Sequence, residues 1–351
     1  MEKKKRIKYL DLCKGLGILM VTWGHITNIG NPVDTWTSSF KMSIFFIAAG
    51  YLICYADSFR NLTLKKYALK LLKSLGVPYV TFSIASILVR YLSMVMKHSV
   101  DMAAIKSYIF ATVTLRGAFA LWFLPVLLFA EIFFFCIIKY LPKWARIFVI
   151  LLPPLAAVKI SELIVQLKTG LSPIMFERIS FVLLPIGKVI VALWFLYIGY
   201  LGCKLLMKIQ GKYILFAIGI VFTVSNLVVS QWNLRVDLNN MALGEKPILF
   251  FLCGILGSFG ALLVFQCLED YLNFTLLDYF GKNSLILMST QRPFYIISIG
   301  TAGWKVISGM PGVLAMRYYI DCLGIMAIVL MLEYFVITFI NEKGRFMLGK
   351  F

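Results

Sequence analysis

Residues 248–268 read ILFFLCGILGSFGALLVFQCL, a run in which no side chain carries a charge. A helix needs about 20 mostly apolar residues to cross the hydrocarbon core of a bilayer, and this run is long enough. It lacks the alternation of apolar and polar residues that is typical of strands in membrane barrels. The run therefore predicts a membrane-spanning helix.

The composition extends this prediction to the whole chain. Of the 351 residues, 61% are hydrophobic and 15% are charged, whereas soluble domains have about 45–50% apolar and about 25% charged residues. Too few polar residues remain to cover so large an apolar core in water. The proportions exclude a soluble enzyme, a disordered chain and a disulfide scaffold. They predict an all-α, polytopic bundle of membrane helices.

Ten apolar stretches approach the length of a span. They are Ile7–Asn28, Phe40–Ala56, Leu75–Met96, Ala118–Ile138, Ala145–Val158, Ile186–Leu206, Tyr213–Ser230, Ile248–Leu268, Asn283–Gly300 and Tyr318–Ile340. The fifth is the weakest prediction, because it is short and is interrupted by Pro153 and Pro154. The apolar piece Ile174–Pro185 is a candidate for a re-entrant segment. We expect one integral-membrane domain over residues 1–351, with no appended soluble domain.

The positive charge follows the predicted topology. A net charge of +19 could indicate nucleic acid, but the basic residues lie in short clusters between apolar segments rather than on one soluble face. If the predicted helices cross the membrane in turn, every second loop lies on the same side as the N-terminus, and these loops carry more of the basic residues than the others. Cytoplasmic loops are enriched in Lys and Arg. We therefore expect both termini in the cytoplasm, a multi-pass protein of the cell inner membrane, and no nucleic-acid partner.

The sequence gives no sign of a metal site. The chain has seven cysteines and two histidines. No two cysteines form a C-x-x-C pair, and the cysteines lie mostly in apolar segments, where a thiol behaves as a small hydrophobic group. We predict no metal ligands.

A few charged or titratable residues lie inside the apolar stretches. A charge at the bilayer centre costs about 2.5–3.5 kcal/mol on insertion scales, so each such residue is a candidate for function. They are Asp11, Lys14, His25, Arg90, Glu131, Arg292 and Glu333, with Asp321 near a helix end. The alternative is a static network of ion pairs.

The first stretch places Lys14 and His25 on one helix face. They are 11 residues apart, which at about 100° per residue returns nearly to the same side, roughly 16 Å along the axis. Asp11 precedes Lys14 by three residues and is within pairing reach. Taken singly, Lys14 could be an interfacial lysine and His25 a core histidine bonded to a neighbouring helix.

The segment Phe59–Lys73 has a different pattern. Leucines alternate at helical spacing with four lysines, Lys65, Lys66, Lys70 and Lys73. This predicts an amphipathic helix on the cytoplasmic surface. The lysines either anchor the helix to lipid phosphates or form a basic rim that collects an anionic cofactor.

These residues resemble the acyltransferase-3 family of bacterial integral-membrane O-acyltransferases. The signature of that family is Arg or Lys, ten residues, then His on the first helix, here Lys14 and His25. Similar motifs follow in the family's order: YLDLCKG at 9–15, WGH at 23–25, FKMSIFFIAAGY at 40–51, PY at 78–79, LWFLP at 121–125 and FGKNSL at 280–285. One departure stands out, since many members carry a second His before a Pro on helix 9. Here Gln291 or Arg292 takes that place.

The resemblance implies transfer of an acyl group, most often acetyl, from cytoplasmic acyl-CoA to a hydroxyl of a surface polysaccharide or lipid-linked glycan. Acetyl-CoA would be a donor substrate, with no permanently bound cofactor. From the chemistry of this reaction we expect His25 to act as the general base, with a covalent acyl intermediate on its imidazole as a second possibility. Arg90 is expected to be catalytic as a donor to the oxyanion, a role for which Trp122 and Gln291 are also candidates. Residues expected at the donor are Lys14, Asp11, Lys65, Lys66, Lys70 and Lys73, and those expected at the other substrate are Trp122, Glu131, Gln291 and Arg292.

Other readings stay open at this point. A transporter of a small anion or metabolite would also need charged residues at membrane depth, although no inverted repeat is evident. A membrane scaffold or sensor is a further alternative. The outer loop Gln231–Pro247 is a candidate for holding a glycan, or else a solvated connector.

Overall fold

A computed structural model of the chain describes residues 6–27, 31–309 and 315–350. The structure is 81% helix, and the described ranges contain no strands, which confirms the predicted all-α class. The helices are α1 (Lys8–Ile26), α2 (Pro32–Phe40), α3 (Ser43–Tyr55), α4 (Leu64–Leu71), α5 (Val77–Met96), α6 (Met102–Val113), α7 (Phe123–Tyr140), α8 (Ile147–Gly170), α9 (Pro173–Leu206), α10 (Lys212–Gln231), α11 (Pro247–Leu268), α12 (Thr275–Lys282), α13 (Ser284–Thr290), α14 (Ile296–Ser308) and α15 (Ala315–Lys343).

Short turns of other helix types join some of these elements. A π-helical turn, Leu72–Gly76, links α4 to α5. Single 3₁₀ turns are formed by Phe119–Trp122, Trp144–Arg146, Leu238–Asn240 and Arg345–Leu348.

Eight helical segments within the described residues are long and apolar enough to cross a membrane. They are Pro32–Tyr55, Leu64–Met96, Phe119–Tyr140, Trp144–Gly170, Pro173–Leu206, Lys212–Gln231, Pro247–Leu268 and Arg317–Lys343. Eight of the ten predicted stretches are represented among these segments, which is consistent with the predicted polytopic helical bundle. Helix α1 is helical as expected but is not among the eight, and its first half carries Lys8, Asp11 and Lys14. The other exception is the ninth stretch.

The ninth stretch, predicted as a single span over Asn283–Gly300, is broken. Helix α13 ends at Thr290, and α14 begins only at Ile296. Pro293 explains the break, because proline has no N–H to donate and disfavours helical geometry at the residue before it. Tyr295 then takes a left-handed conformation with φ of 59°. Hydropathy does not detect such a break, since the residues on both sides are apolar.

The fifth stretch, the weakest prediction, is confirmed as a helix long enough to span, because α8 runs through both Pro153 and Pro154 to Gly170. Membrane helices tolerate proline where neighbouring groups satisfy the freed carbonyls. The piece Ile174–Pro185 is not re-entrant, since it forms the first part of the long helix α9.

The structure forms two compact units, each built from separated segments of chain. The first unit comprises residues 1–21, 29–64 and 129–282, and the second comprises 22–28, 65–128 and 283–351. The single domain and the cytoplasmic location of both termini stay predictions.

Glycines allow close helix packing in the first unit. A Cβ atom on Gly281 would lie 1.9 Å from the carbonyl oxygen of Asp11, and one on Gly15 would lie 2.1 Å from that of Leu277. Helices α1 and α12 therefore touch backbone to backbone, a form of packing that only small residues permit. This contact fixes the segment of α1 that carries Asp11 and Lys14.

In the second unit, α13 and α14 run antiparallel to α15. Asn341 Nδ2 donates to Asn283 Oδ1 at 2.8 Å near one end of the pair, and Trp304 Nε1 donates to Asp321 Oδ1 at 2.9 Å near the other. The broken ninth segment thus follows α15 along most of its length. Residues of this unit can therefore be located by the position along α15 that they contact.

Candidate active site

The predicted pairing of Asp11 with Lys14 is present in the first unit. Lys14 Nζ lies 3.0 Å from Asp11 Oδ1, and Arg6 pairs with the other carboxylate oxygen of the same residue. The Asp11 side chain is 3% exposed, whereas that of Lys14 is 29% exposed. Asp11 therefore orients a lysine that is still partly accessible.

His25 lies in the last turn of α1, within the second unit. Its Nδ1 atom is buried and the residue is half-buried. Two residues earlier, the Trp23 ring stacks on Tyr319 of α15, with centroids 6.4 Å apart and planes 9° apart. Thr27 Oγ1 donates to the Trp23 carbonyl at 3.0 Å. These contacts fix the end of α1 and so the position of the imidazole.

Arg90 is held by aromatic rings. Its Cζ atom lies 4.4 Å from the ring centroid of Tyr108 and 5.6 Å from that of Phe119. Its Nε atom is buried and has no hydrogen-bond acceptor among the described residues. Arg90 also forms no ion pair with any of those residues. Cation–π contact stabilises this half-buried guanidinium and leaves its N–H groups available.

A strained turn positions Phe119 and Trp122. Phe119 has φ of 55°, a left-handed conformation that is costly for an aromatic residue. Gly117 has φ of 67°, and a Cβ there would lie 2.3 Å from the Trp122 backbone nitrogen. Glycine is therefore required at 117. The turn buries Trp122 and sets the Phe119 ring over Arg90.

The break after α13 leaves Gln291 fully buried. The side chain is 0% exposed, and neither its Nε2 nor its Oε1 has a hydrogen-bond partner in the described part of the chain. Arg292, the next residue, is exposed. Of the two residues predicted for the place of a second histidine, only Gln291 points into the protein interior.

Glu333 on α15 is buried beside this break. Its carboxyl group is 0% exposed and accepts from Thr290 Oγ1 at 2.8 and 3.0 Å. The bond joins α13 to α15 one residue before Gln291. Glu333 therefore has a structural partner at the level of the break.

The four lysines of the predicted amphipathic segment lie on an exposed helix surface of the second unit. The helix α4 begins at Leu64 rather than Phe59. Its buried side chains are Tyr67 and Leu71, whereas Leu69 and Leu72 are exposed. The prediction that the four lysines are exposed is thus confirmed. The buried side of the helix is formed by Tyr67 and Leu71, however, and not by the leucines whose spacing suggested an apolar face.

The C-terminal turn adds basic residues to the same end of the unit. Thr81 Oγ1 donates to the Met347 carbonyl at 2.9 Å, and a Cβ on Gly349 would lie 2.0 Å from the Lys73 carbonyl oxygen. Arg345 and Lys350 belong to this segment. The sequence carried no signal that would pair the chain end with Lys73.

The remaining candidates lie in the first unit. Glu131 is half-buried on α7. The loop Gln231–Pro247 is tied to α8 and α9: Ser161 Oγ donates to the Met241 carbonyl at 2.7 Å, and Lys188 Nζ donates to Asn239 Oδ1 at 2.8 Å. Its role stays a prediction. Of the predicted site residues, the second unit thus holds His25, Arg90, Trp122, Gln291, Arg292 and the four lysines.

Comparison with known families decides the class of the protein. The sequence profile of the acyltransferase-3 family, described as an acyltransferase domain, matches residues 7–340, nearly the whole chain. The chain belongs to this family. It is a multi-pass membrane acyltransferase, which confirms the resemblance carried by Lys14, His25 and the ordered motifs. No curated protein and no solved structure matches the chain.

The structure of this acyltransferase shows three aromatic residues at the site that were not among the predicted site residues. Tyr108 and Phe119 hold Arg90, and Tyr319 stacks on Trp23. The one available signal was Gly117, whose position before an aromatic pair is compatible with a tight turn. Tyr319 gave none, because its contact joins residues that are far apart in the chain.

Proposed function

We propose that this membrane acyltransferase moves an acetyl group from cytoplasmic acetyl-CoA to a hydroxyl of a cell-surface polysaccharide or lipid-linked glycan, at the inner membrane of a bacterium. The observation that carries the proposal is the imidazole of His25, fixed in the last turn of α1 within a family of acyltransferases.

The donor would bind at the basic end of the second unit. Phosphates carry negative charge and pair with cationic side chains. Lys65, Lys66, Lys70 and Lys73 supply such charges on one exposed surface, beside the C-terminal turn. The role expected of Lys14 at the donor stays a prediction, since Lys14 lies in the first unit.

His25 would act as the general base. An imidazole titrates near working pH and accepts a proton from a hydroxyl held within hydrogen-bond reach. The acceptor oxygen then attacks the thioester carbonyl, the tetrahedral intermediate expels the CoA thiolate, and the imidazolium returns its proton to that sulfur. The last turn of a helix has a partial negative charge, which would stabilise the imidazolium formed in the first step.

Arg90 would stabilise the negative oxygen of the tetrahedral intermediate. Its guanidinium has available N–H groups and a position fixed by two rings, and preorganised donors of this kind contribute strongly to acyl transfer. Trp122 lies in a turn that packs against α5, and Gln291 directly follows a helix that packs against α5. Both are assigned to substrate binding. Arg292 is assigned to the acceptor, and the role expected of Glu131, which lies in the first unit, stays a prediction.

The test is acyl transfer by the purified, reconstituted protein. We expect radiolabelled acetyl-CoA to yield base-labile acetyl esters on a surface glycan or its lipid-linked precursor. A transporter would instead give flux of acetyl-CoA or another anion across the vesicle membrane with no acetylated product. The second result would replace the proposed reaction.

A further inference from the structure

The Gln291 side chain is a buried amide with open hydrogen-bonding capacity on both atoms. Nearly all buried polar side chains in folded proteins have partners, and an amide without one is unfavourable. The backbone of Gln291 is satisfied, since its N–H donates to the Leu287 carbonyl at 3.2 Å and its carbonyl accepts from the Ile297 N–H at 3.1 Å. Only the side-chain amide lacks a hydrogen-bond partner among the described residues, and the bonded backbone fixes its position.

The helices that pack together just before Gln291 in the chain have further buried hydroxyl groups without partners in the described part of the chain. Helix α13 packs against α5, α15 and the Phe119–Trp122 turn. Ser289 on α13 and Ser83 on α5 are each 0% exposed, and neither hydroxyl has a partner among the described residues. Thr290 differs, because its hydroxyl is bonded to Glu333. Two packed helices thus present unused hydrogen-bonding groups inside the second unit.

The donor and the acceptor of the Gln291 side chain limit the kinds of ligand that could bind it. Gln291 presents an N–H donor beside a carbonyl acceptor, which matches the carbonyl and N–H of a secondary amide. A phosphate would use only the donor, and an acyl chain would use neither. A polyol would bring additional hydroxyls into a region of apolar helices, where each needs its own partner. An amide between methylene groups brings no such excess.

We propose that Gln291 binds a secondary amide of a substrate during acyl transfer. This assignment rests on the proposed function, which offers two sources of the group: the pantetheine arm of CoA and the N-acetyl group of an amino sugar in the acceptor. Contacts along α15 place Asn341 first, Glu333 next and Tyr319 last. A donor held by its phosphates at the lysine end would pass the Gln291 level before reaching His25, which favours pantetheine.

The test compares the wild-type protein with Gln291→Leu. Because the amide has no partner within the described chain, leucine should leave thermal stability in detergent unchanged or slightly higher without ligand, whereas loss of a structural bond would lower it. The donors are acetyl-CoA and an analogue in which ester oxygens replace the amide N–H groups of the arm. The acceptors are glycans with and without N-acetyl groups. Gln166→Leu, at an exposed position on α8, is the control.

For pantetheine, we expect the ester analogue to raise KM about three- to tenfold in the wild type and in Gln166→Leu, the effect of one hydrogen bond. In Gln291→Leu the two donors should give the same KM. If the lost discrimination concerns N-acetyl groups instead, the amide belongs to the acceptor. The assignment would be overturned if wild type and Gln291→Leu showed the same ratio of KM values for the two donors and the same ratio for the two acceptors.

A binding measurement separates this inference from the proposed reaction. Pantetheine and N-acetylglucosamine are added singly, and stabilisation of the folded protein reports binding without turnover. Stabilisation of the wild type by either probe, lost in Gln291→Leu, supports the amide site even if acetyl transfer fails. Acetyl transfer with no effect of Gln291→Leu on either probe or on KM leaves the reaction standing and removes the amide site.

Discussion

Thr290 Oγ1 donates to Glu333 Oε2 at 2.8 Å, joining α13 to α15 across a fully buried contact. No other hydrogen-bond partner of this carboxyl group lies in the described residues. Thr290→Val keeps the side-chain shape but removes the donor, so the buried carboxyl group loses its partner. We expect the free energy of unfolding to fall by about 1–3 kcal/mol, measured by thermal denaturation in detergent. Thr290→Ser retains the hydroxyl and should be close to wild type. Equal stability of Thr290→Val and wild type would show that this bond contributes nothing.

Gly281 sets the distance between α12 and α1. In Gly281→Ala the new Cβ would lie 1.9 Å from the Asp11 carbonyl oxygen, and relief of such a clash costs about 1–3 kcal/mol. We expect lower thermal stability and lower activity, because α1 carries Lys14 and His25. The control is Gly303→Ala on α14, where the nearest atom would be 3.7 Å away. Similar melting temperatures for the two variants would refute the close contact.

Arg90 depends on its planar group for both ring contact and hydrogen bonding. Arg90→Lys keeps the charge but loses the stacking geometry on Tyr108. We expect kcat to fall about 100-fold, the scale for loss of one donor to the oxyanion, with a smaller change in the KM for acetyl-CoA. Arg178→Lys, at an exposed position on α9, should have no effect. A change in KM alone would move Arg90 from the reacting centre to substrate binding.

The lysine surface of α4 should act on donor binding alone. Replacing Lys65, Lys66, Lys70 and Lys73 by alanine should raise the KM for acetyl-CoA about tenfold, since each exposed charge contact contributes about 0.2–1 kcal/mol. kcat should change little, and added salt should reduce the difference from wild type. The control removes four other exposed lysines: Lys97, Lys106, Lys168 and Lys208. An equal effect in both variants would indicate general electrostatics rather than a donor site.

Periodicity and composition predict much of this protein, but only where the cause is local. The helical class and the Asp11–Lys14 pair follow from apolar runs and from spacing along one helix. The break at Pro293 went undetected because hydropathy measures side chains, whereas the break arises from a missing backbone donor. Two of the ten predicted stretches, the one that forms the charged helix α1 and the broken ninth one, are not among the eight described segments that are long and apolar enough to cross a membrane.

The site residues show the same division. His25 and Arg90 stood out as titratable or charged residues in apolar stretches. Their supports did not, because Tyr319 and Tyr108 are ordinary aromatic residues until folding brings them to Trp23 and Arg90. The burial of Gln291 likewise depends on helices far apart in the sequence, so no local pattern could separate it from the exposed Arg292.

The role of His25 is the central claim, and acyl transfer by variants at this position tests it most directly. Wild type, His25→Ala and His25→Gln are reconstituted at equal amounts, and radiolabelled acetyl ester on the glycan acceptor is measured after checking thermal stability and donor binding. General acid–base catalysis contributes about 100- to 10,000-fold, so we expect both variants to lose at least about 100-fold in kcat while still folding and binding acetyl-CoA. Full transfer by folded His25→Ala would contradict the account.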